Sequence, residues 1–265
     1  MNLTAPVRID IGAGWPDSDP YRNQYGGYVL NAAINVRCSA SLNGDLVVSP
    51  ENVPSQSGLG TSGCLRALEL AVSNPQLLED KTELIKKVHQ FENQICGNRA
   101  GFQDQAAAIF GGSNLWYFGP KGEITRTPVN LTGLEDHLVL VYTGSHNSGD
   151  MHRLAFSNPD YRELIHEMSL INQEMARDPK KIPDLIRRTW KLQRRLHPSI
   201  ETPLMKTLQE EVGDLAYSCR AVGAGGGGCM IFYTDKKFQV EERARSLGFR
   251  VIDFKFEKEG IRQTD

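Results

Sequence analysis

The sequence lacks the features that mark several large classes of protein. Its 30 lysines and arginines almost balance its 32 aspartates and glutamates, so the formal net charge is only −2 over 265 residues. Without a basic excess to neutralise phosphates, a dedicated binder of nucleic acid or of a membrane surface is not expected. The longest stretch of apolar residues and glycines, 221–233, is shorter than the about 20 residues that a membrane-spanning helix needs.

The cysteines and histidines form no recognisable framework. No Cys-x-x-Cys pair is present, and none of the six histidines has the spacing of a metal site. Dispersed thiols of odd number are typical of a reducing compartment rather than of a disulfide scaffold. The first residues also lack the charged and then apolar segments of a secretory signal. We therefore expect a soluble cytoplasmic protein with five free cysteines, namely Cys38, Cys64, Cys96, Cys219 and Cys229.

The sequence does contain a mixture of strand and helix patterns. Apolar residues at Leu164, Met168, Ile171 and Met175 recur at spacings of three and four, which indicates an amphipathic helix. The pattern predicts an α+β N-terminal domain at 1–150 and a helix-rich C-terminal domain at 151–265 that ends β-α-β. Short apolar or β-branched runs predict strands at 7–11, 28–36, 46–50, 115–119, 137–144, 229–234 and 250–258. Further helices are predicted at about 59–73, 81–96 and 203–219.

A glycine-rich and hydroxyl-rich loop stands directly before a predicted helix, in the sequence PSQSGLGTSGCLRAL at 54–68. The first amides of a helix have no intrahelical partner and the helix dipole adds positive charge there, so such a loop can hold an anion. A Walker-type loop is excluded because no lysine follows Gly60. A simple N-cap with glycines for a tight turn remains the alternative interpretation.

Three further segments carry charges or glycines in unusual places. The strand and turn RIDIGAGWPD contain Arg8, Asp10 and Asp17, and GFQDQ at 101–105 contains Asp104 between two amides. The segment GAGGGG at 223–228 lies between a predicted helix and a predicted strand, and so many glycines suit neither element. These glycines indicate that the backbone closely approaches a ligand or a neighbouring loop.

In this order the four segments resemble the motifs of the GHMP kinase superfamily, and in particular its fucokinase and heptose-phosphate kinase branch. The resemblance runs from about residue 6 to residue 234. It implies an α+β fold of two domains, an N-terminal α+β domain and a ferredoxin-like C-terminal domain, with the active site in the cleft between them. It also implies a phosphotransferase with an alcohol group as acceptor.

The resemblance assigns roles to residues on the acceptor side of that site. Asp104 matches the catalytic aspartate, which takes or orients the proton of the acceptor hydroxyl, and Arg8 matches a basic residue beside it. Asp17 matches an acid that binds sugar hydroxyls, and Gly101 and Gln103 flank the aspartate as further substrate-binding residues. Two structural alternatives stay open: Asp104 as a helix N-cap, and Arg8 with Asp10 as a structural ion pair between strands.

On the donor side the resemblance implies ATP and Mg²⁺ as cofactors. Ser62 and Glu92 match the magnesium-binding pair. The alternative for Glu92, which lies on a polar helical face, is a solvated surface residue. Two loops would contact the nucleotide through Ser57, Gly58, Leu59, Gly60, Thr61, Ser62, Gly225, Gly226 and Gly227.

Two departures from the family pattern concern the donor side. The first loop reads Thr-Ser-Gly and ends on Gly63, where the family usually has Ser-Ser-Ala. The segment before it, residues 40–54, provides only about a dozen residues where relatives place parts of the adenine pocket. We therefore expect weak discrimination between nucleotide bases.

Together these features predict an ATP-dependent kinase of carbohydrate metabolism that phosphorylates a sugar or sugar phosphate at the anomeric hydroxyl, giving a sugar 1-phosphate. The expected partners are this small-molecule sugar and the nucleotide, with no nucleic acid and no membrane. One alternative is a GHMP kinase for a non-sugar alcohol. The acidic turn GWPDSDPY makes this alternative less favoured, because the resemblance assigns such a turn to the sugar branch. The other is a catalytically silent ligand sensor, which the shortened segment favours.

Overall fold

Ten strands and nine helices are present in the computed structural model, which describes residues 1–54, 56–95, 100–145 and 148–264. The strands within these residues are β1 (Asn2–Asp10), β2 (Gly27–Asn43), β3 (Asp45–Pro50), β4 (Ser113–Phe118), β5 (Ile124–Pro128), β6 (Leu138–Tyr142), β7 (Ser218–Ala221), β8 (Cys229–Tyr233), β9 (Arg250–Ile252) and β10 (Arg262–Thr264). The helices are α1 (Tyr21–Tyr25), α2 (Thr61–Ser73), α3 (Lys81–Gln90), α4 (Gln103–Phe110), α5 (Ser148–Ala155), α6 (Tyr161–Arg177), α7 (Ile182–Leu196), α8 (Pro203–Val212) and α9 (Lys237–Ser246).

The first sheet places β1 beside the long strand β2. Its order is β10-β1-β2-β4-β5, and β3 pairs with the far half of β2. Strand β1 is buried on both faces from Leu3 to Asp10, and α2 and α4 pack against it. The pairing register between β1 and β2 shifts between Pro6 and Arg8, and the amide of Arg8 donates instead to the carbonyl of Leu59 at 3.0 Å. This irregularity joins β1 to the loop before α2.

The second sheet has the strand order β7-β8-β6-β9, and its three pairings are all antiparallel. Helices α6 and α7 lie between β6 and β7 in the chain, and α9 lies between β8 and β9. A β-α-β-β-α-β chain in this spatial order is the ferredoxin-like arrangement. The expected α+β fold with a ferredoxin-like second part is therefore confirmed.

Several element boundaries differ from the sequence prediction. The helix predicted at 203–219 ends at Val212, next to Gly213, and residues 218–221 form β7 instead. The helix predicted at 81–96 ends at Gln90 and continues as a π-helical turn at Phe91–Ile95, while residue 96 lies outside the described residues. A short strand such as β5, β7 or β10 leaves no recognisable pattern in the local sequence. It forms because it hydrogen-bonds to neighbouring strands of the sheet.

The last part of the chain does not form the single strand predicted at 250–258. Only Arg250–Ile252 pairs with β6, and the chain then crosses back to the first sheet. There the amide of Glu257 donates to the carbonyl of Ala33 at 2.9 Å, and β10 pairs with β1. Strand β6, in turn, lies in the second sheet although it precedes residue 150. The division into domains at 1–150 and 151–265 stays a prediction.

Two expectations from composition can be compared with this structure. In the described parts of the chain, no helix is both long and apolar enough to span a bilayer. Cys38, Cys64, Cys219 and Cys229 are free thiols, and Cys96 lies outside the described residues. The four described thiols therefore agree with the predicted absence of a disulfide framework in these regions.

Candidate functional site

The loop before α2, residues 57–62, has the geometry of an anion site and is called the phosphate loop below. Gly58 and Gly60 have φ angles of +77° and +75°, which side-chain-bearing residues rarely adopt. These turns let α2 begin at Thr61, so the amides of its first turn have no helical partner. The hydroxyls of Ser57 and Thr61 are buried without a hydrogen-bond partner among the described residues. Unpaired buried donors of this kind call for a polar ligand.

The glycine-rich segment 223–228, called the glycine loop below, packs directly on the phosphate loop. The amide of Cys229 donates to the carbonyl of Ser57 at 2.8 Å. A Cβ at Gly223 would lie 2.9 Å from the carbonyl oxygen of Gly58, and one at Gly228 would lie 2.7 Å from that of Ser57. Both distances are below those that real Cβ atoms show, so the missing side chains permit this contact. Close approach to a neighbouring loop, one of the two interpretations from sequence, is therefore confirmed, and approach to a ligand stays a prediction.

Gly225 and Gly226 occupy a different part of this loop. The amide of Gly226 donates to the carbonyl of Ile200 at 2.8 Å, and a Cβ there would overlap Met151. A Cβ at Gly225 would lie 2.7 Å from a methyl carbon of Ile200. These two glycines are therefore required by protein packing, and their contact with a nucleotide, like that of Gly227, stays a prediction.

Asp104 and Arg8 meet beside the phosphate loop, as the sequence predicted. The Nε and Nη2 atoms of Arg8 donate to Oδ1 of Asp104 at 2.9 and 2.6 Å, and its Nη1 donates to the carbonyl of Gly58 at 2.5 Å. Arg8 is buried, whereas the Asp104 side chain is 32% exposed. Burial alone would lower the pKa of Arg8, but the charges of Asp104 and Asp10 outweigh it and raise the pKa. The guanidinium is thus a fixed positive charge next to a reachable carboxylate.

The unusual glycine at the end of the loop has a structural reason. A Cβ at Gly63 would lie 2.7 Å from the Cβ of Asp104, and one at Gly60 would lie 3.0 Å from its carboxyl carbon. Asp104 lies in the first turn of α4, whose N-cap is Phe102. The absence of side chains at Gly60 and Gly63 therefore lets α4, which carries Asp104, pack closely against the phosphate loop and the start of α2. Asp104 is not the N-cap of its helix, so that alternative is wrong.

Asp17 fixes the start of α4. Its Oδ2 accepts hydrogen bonds from the amides of Phe102 and Gln103 at 2.7 and 2.8 Å, and the Ser18 hydroxyl donates to Oδ1 at 3.3 Å. Burial raises the pKa of Asp17 to about 7, although the two amides oppose this shift. A Cβ at Gly101 would overlap the Asp17 carboxylate. The acid predicted to bind sugar hydroxyls is therefore also the group that orients the helix of Asp104.

The predicted substrate-binding residue Gln103 lies next to this turn. Its Oε1 is buried without a partner among the described residues, and its side-chain nitrogen lies where a Cβ of Gly14 would be. The indole nitrogen of Trp15, in the same turn as Asp17, is also buried and has no partner in the described part of the chain. An acceptor and a donor near one carboxyl group suit a ligand with several hydroxyls.

Ser62 and Glu92 also meet as predicted. The Ser62 hydroxyl donates to Oε1 of Glu92 at 2.7 Å, at the start of α2. Glu92 is only 2% exposed, which rules out the alternative of a solvated surface residue. Burial, together with the nearby charge of Asp104, raises the pKa of Glu92 to about 7, although the Ser62 hydroxyl opposes this shift. A carboxylate that is costly to bury in this way is one that a cation would stabilise.

One charged residue of the site was not predicted. Arg220 in β7 is fully buried and pairs with Asp10 in β1, their Nη2 and Oδ2 atoms lying 3.0 Å apart. The two residues are 210 positions apart in the sequence, so no local pattern signals their contact. The signal available from sequence was a lone arginine three positions before the glycine loop, since a buried charge requires a partner.

The segment expected to line the base of a nucleotide is exposed. Strand β3 is paired with β2, and most of its residues lie at the surface. Leu46 and Val47 are 38% and 57% exposed. The tight packing at the phosphate loop thus does not extend to this strand.

The comparisons with known proteins agree with this geometry. Residues 27–112 match the family model of the GHMP kinases N terminal domain. Among curated proteins, the chain is 23% identical to the D-glycero-alpha-D-manno-heptose 7-phosphate kinase of Campylobacter jejuni, with 99% of this chain and 98% of that protein covered. It is 22% identical to the bifunctional fucokinase/GDP-fucose pyrophosphorylase of Arabidopsis thaliana over 91% of this chain, which spans 30% of that larger protein.

A solved structure shares the whole fold. The crystal structure of a D-glycero-D-manno-heptose 1-phosphate kinase from Bacteroides thetaiotaomicron superposes with a TM-score of 0.75 at 19% identity, with 98% of this chain and 97% of that chain covered. These findings confirm the resemblance to the GHMP kinase superfamily and its two-domain fold. The predicted enzyme class, a phosphotransferase with an alcohol acceptor, is confirmed with it.

Proposed function

We propose that the protein is an ATP-dependent kinase that phosphorylates a sugar or sugar phosphate at its anomeric hydroxyl, giving a sugar 1-phosphate. The observation that carries the proposal is the contact of Asp104 with Arg8 at the start of α2. Both hydrogen bonds from Arg8 fall on Oδ1 of Asp104, and no hydrogen bond within the described residues reaches Oδ2. One oxygen of the carboxylate is therefore held in place while the other can accept a proton.

In the proposed reaction the acceptor hydroxyl lies between Asp104 and the γ-phosphate of ATP. Its oxygen attacks the γ-phosphorus while the bond to the bridging oxygen of ADP breaks, and Oδ2 of Asp104 takes the hydroxyl proton. The guanidinium of Arg8 and the first amides of α2 offset the negative charge that develops on the transferred group. Each residue thus performs a task that its position in the structure permits.

The residues at the start of α2 suit a magnesium ion. Ser62 and Glu92 provide two oxygen donors 2.7 Å apart, and Mg²⁺ commonly binds through one or two protein oxygens together with substrate phosphates. Magnesium would neutralise the charge of the β- and γ-phosphates. The carboxylate of Glu92 would hold the ion, and the phosphate loop would hold the phosphates that share it.

A sugar fits the acceptor side better than a simpler alcohol does. The turn that carries Trp15 and Asp17, together with Gln103 at the start of α4, provides acceptor and donor groups, and a polyhydroxylated ring can satisfy several of them together. The named activities of the relatives, on heptose phosphates and fucose, support this substrate class. The dispersed free thiols support a cytoplasmic location for the reaction.

The experiment that tests the proposal measures ADP release from ATP and magnesium with a panel of hexoses and heptose phosphates. We expect turnover with at least one member, and phosphorus NMR should show the new phosphate on the anomeric carbon. Phosphate on another carbon would correct the predicted position and keep the kinase assignment. An absence of turnover across the panel would contradict the proposal.

A catalytically silent ligand sensor is the second candidate, because one observation favours it. The segment expected to bind the base is short and exposed at Leu46 and Val47. A sensor would bind a sugar, as calorimetry can detect, and would release no ADP under any condition. The ADP assay and the calorimetric titration together therefore separate the two candidates.

A further inference from the structure

A row of alternating charges leads from the reacting carboxylate into the second sheet. Asp104 contacts Arg8, Nη1 of Arg8 lies 4.0 Å from Oδ1 of Asp10, and Oδ2 of Asp10 lies 3.0 Å from Nη2 of Arg220. Asp10 and Arg220 have fully buried side chains. The row crosses between sheets, because β1 carries Arg8 and Asp10 while β7 carries Arg220.

Asp10 is also the point to which the glycine loop is attached. The amide of Gly223 donates to the carboxylate of Asp10 at 3.0 Å, and Arg220 donates to the backbone carbonyl of Asp10 as well as to its side chain. Gly223 is the same residue whose missing side chain permits contact with Gly58. One carboxylate therefore connects β1, β7 and the glycine loop, and Gly223 of that loop packs on the phosphate loop.

The cost of this arrangement indicates that it has a function beyond stability. Two charges lose their hydration when they are buried, and an apolar pair of similar volume is often at least as stable. Burial would raise the pKa of Asp10, but Arg220 and Arg8 outweigh it and lower the pKa, so the carboxylate is ionised. The hydrogen bonds described for the Arg220 side chain all go to Asp10. Its Nε has no hydrogen-bond partner among the described residues.

We propose that Asp10 and Arg220 are positioning residues for phosphoryl transfer. The charge of Asp10, 4.0 Å from Nη1 of Arg8, attracts the guanidinium that binds Asp104. Arg220 hydrogen-bonds Asp10 from the second sheet. The glycine loop is fixed by the same carboxylate, so Arg8, Asp104 and the phosphate loop keep one geometry across the two sheets. This inference rests on the proposed kinase function.

The test compares Arg220→Lys with Arg37→Lys. Lysine keeps the positive charge beside Asp10 and loses the paired hydrogen bonds of the guanidinium, so the variant changes the geometry of the contact and not its charge. Arg37 is a matched control, because it also joins a strand to a distant segment: it donates to Thr4 and pairs with Glu257 at 3.0 Å. We expect kcat to fall at least tenfold in Arg220→Lys with KM for ATP within threefold, and kcat within twofold of wild type in Arg37→Lys.

A double variant separates positioning from a general loss of stability. If Arg220 acts through Arg8 and Asp104, Arg220→Lys should cost little further kcat in an Asp104→Asn background, since residues that act as a unit are not additive. A full tenfold loss in that background would overturn the proposal. An equal loss in Arg220→Lys and Arg37→Lys would also overturn it.

Amide hydrogen exchange tests the same positioning without any turnover. Exchange at 56–60 and 223–228 should rise at least threefold in Arg220→Lys and should be unchanged in Arg37→Lys. Unchanged exchange in these two loops would overturn the inference even if wild type has no kinase activity. If the wild-type protein has no kinase activity but hydrogen exchange in the two loops rises as expected, the proposed kinase function is rejected. The inference that Arg220 and Asp10 position the two loops is then kept.

Discussion

The phosphate end and the base end of the proposed nucleotide site are built very differently. At the phosphate end, Ser57 and Leu59 are almost fully buried, and the glycine loop packs on the backbone of Ser57 and Gly58. At the base end, Leu46 and Val47 in β3 lie largely at the surface. The first region fixes many groups around a small space, whereas the second offers one exposed strand. If the proposed nucleotide site is correct, we expect the phosphates, rather than the base, to provide most of the nucleotide's binding energy.

The largest expected effect comes from removing the carboxylate at the phosphate end. Asp104→Asn should lower kcat by roughly 100-fold or more, which is the usual size of a general-base contribution. Affinity for ATP should barely change, because the phosphate loop is intact. Steady-state kinetics with calorimetry of ATP binding would measure both quantities.

The control for this variant is Asp160→Asn, which changes an exposed aspartate just before α6. Its kcat should equal that of wild type. Near wild-type turnover in Asp104→Asn would remove this residue from the proposed mechanism.

The contact between the two loops should be sensitive to a single methyl group. Gly228→Ala places a Cβ 2.7 Å from the Ser57 carbonyl at a φ of +77°. Gly122→Ala imposes the same strain at a φ of +79° with no atom nearby. We expect the free energy of unfolding to fall by about 1 kcal/mol in Gly122→Ala and by about 2 to 3 kcal/mol in Gly228→Ala. Urea denaturation measures both, and equal losses would show that the loops do not need this contact.

The buried carboxyl of Asp17 should make stability depend on pH. Its pKa is raised to about 7 in the folded protein, so the folded state holds the proton more tightly than the unfolded chain. Stability should therefore fall as pH rises from about 4 to about 7, by at most ~1.4 kcal/mol per pH unit from this group, and level off above. Asp17→Asn should show a shallower fall over this range in thermal unfolding. An unchanged pH dependence would assign the effect to other groups, of which Glu92 is one.

A smaller effect is expected for the metal requirement. Glu92→Gln removes a charge that the proposed magnesium ion would need, so half-maximal activity should require several-fold more magnesium while the fold is kept. Glu83→Gln in α3 is the control, because the side chain of this glutamate is 43% exposed and pairs with Lys87. Identical magnesium titrations for both variants and wild type would leave Glu92 without a role in metal binding.

The sequence predicted the residues proposed for the reaction better than the buried residues that position them. Asp104 with Arg8, and Ser62 with Glu92, were expected as pairs and do meet. Their motifs have fixed local spacing, so the pairing followed from recognising four short segments in order. The pair of Asp10 with Arg220 could not be inferred in this way, since it depends on how the two sheets lie against each other.

The strands of the fold also differ in how well the sequence predicted them. The strands within apolar runs, such as β1, β2 and β6, were predicted, because burial leaves a pattern in the sequence itself. The strands β5, β7 and β10 were not, because each is short and is held by its neighbours. The capping role of Asp17 on α4 also depends on a turn and a helix 85 residues apart.

The difference between the two ends of the site is tested most directly by comparing ATP and GTP as phosphate donors with the same sugar. The base end, with β3 exposed, offers little to distinguish the two bases, so kcat/KM should differ by less than about tenfold, which is about 1.4 kcal/mol. A hydrogen-bonding base pocket usually produces a far larger preference. A preference for ATP of 100-fold or more would contradict this account, because it would require a selective base pocket at the end that β3 leaves exposed.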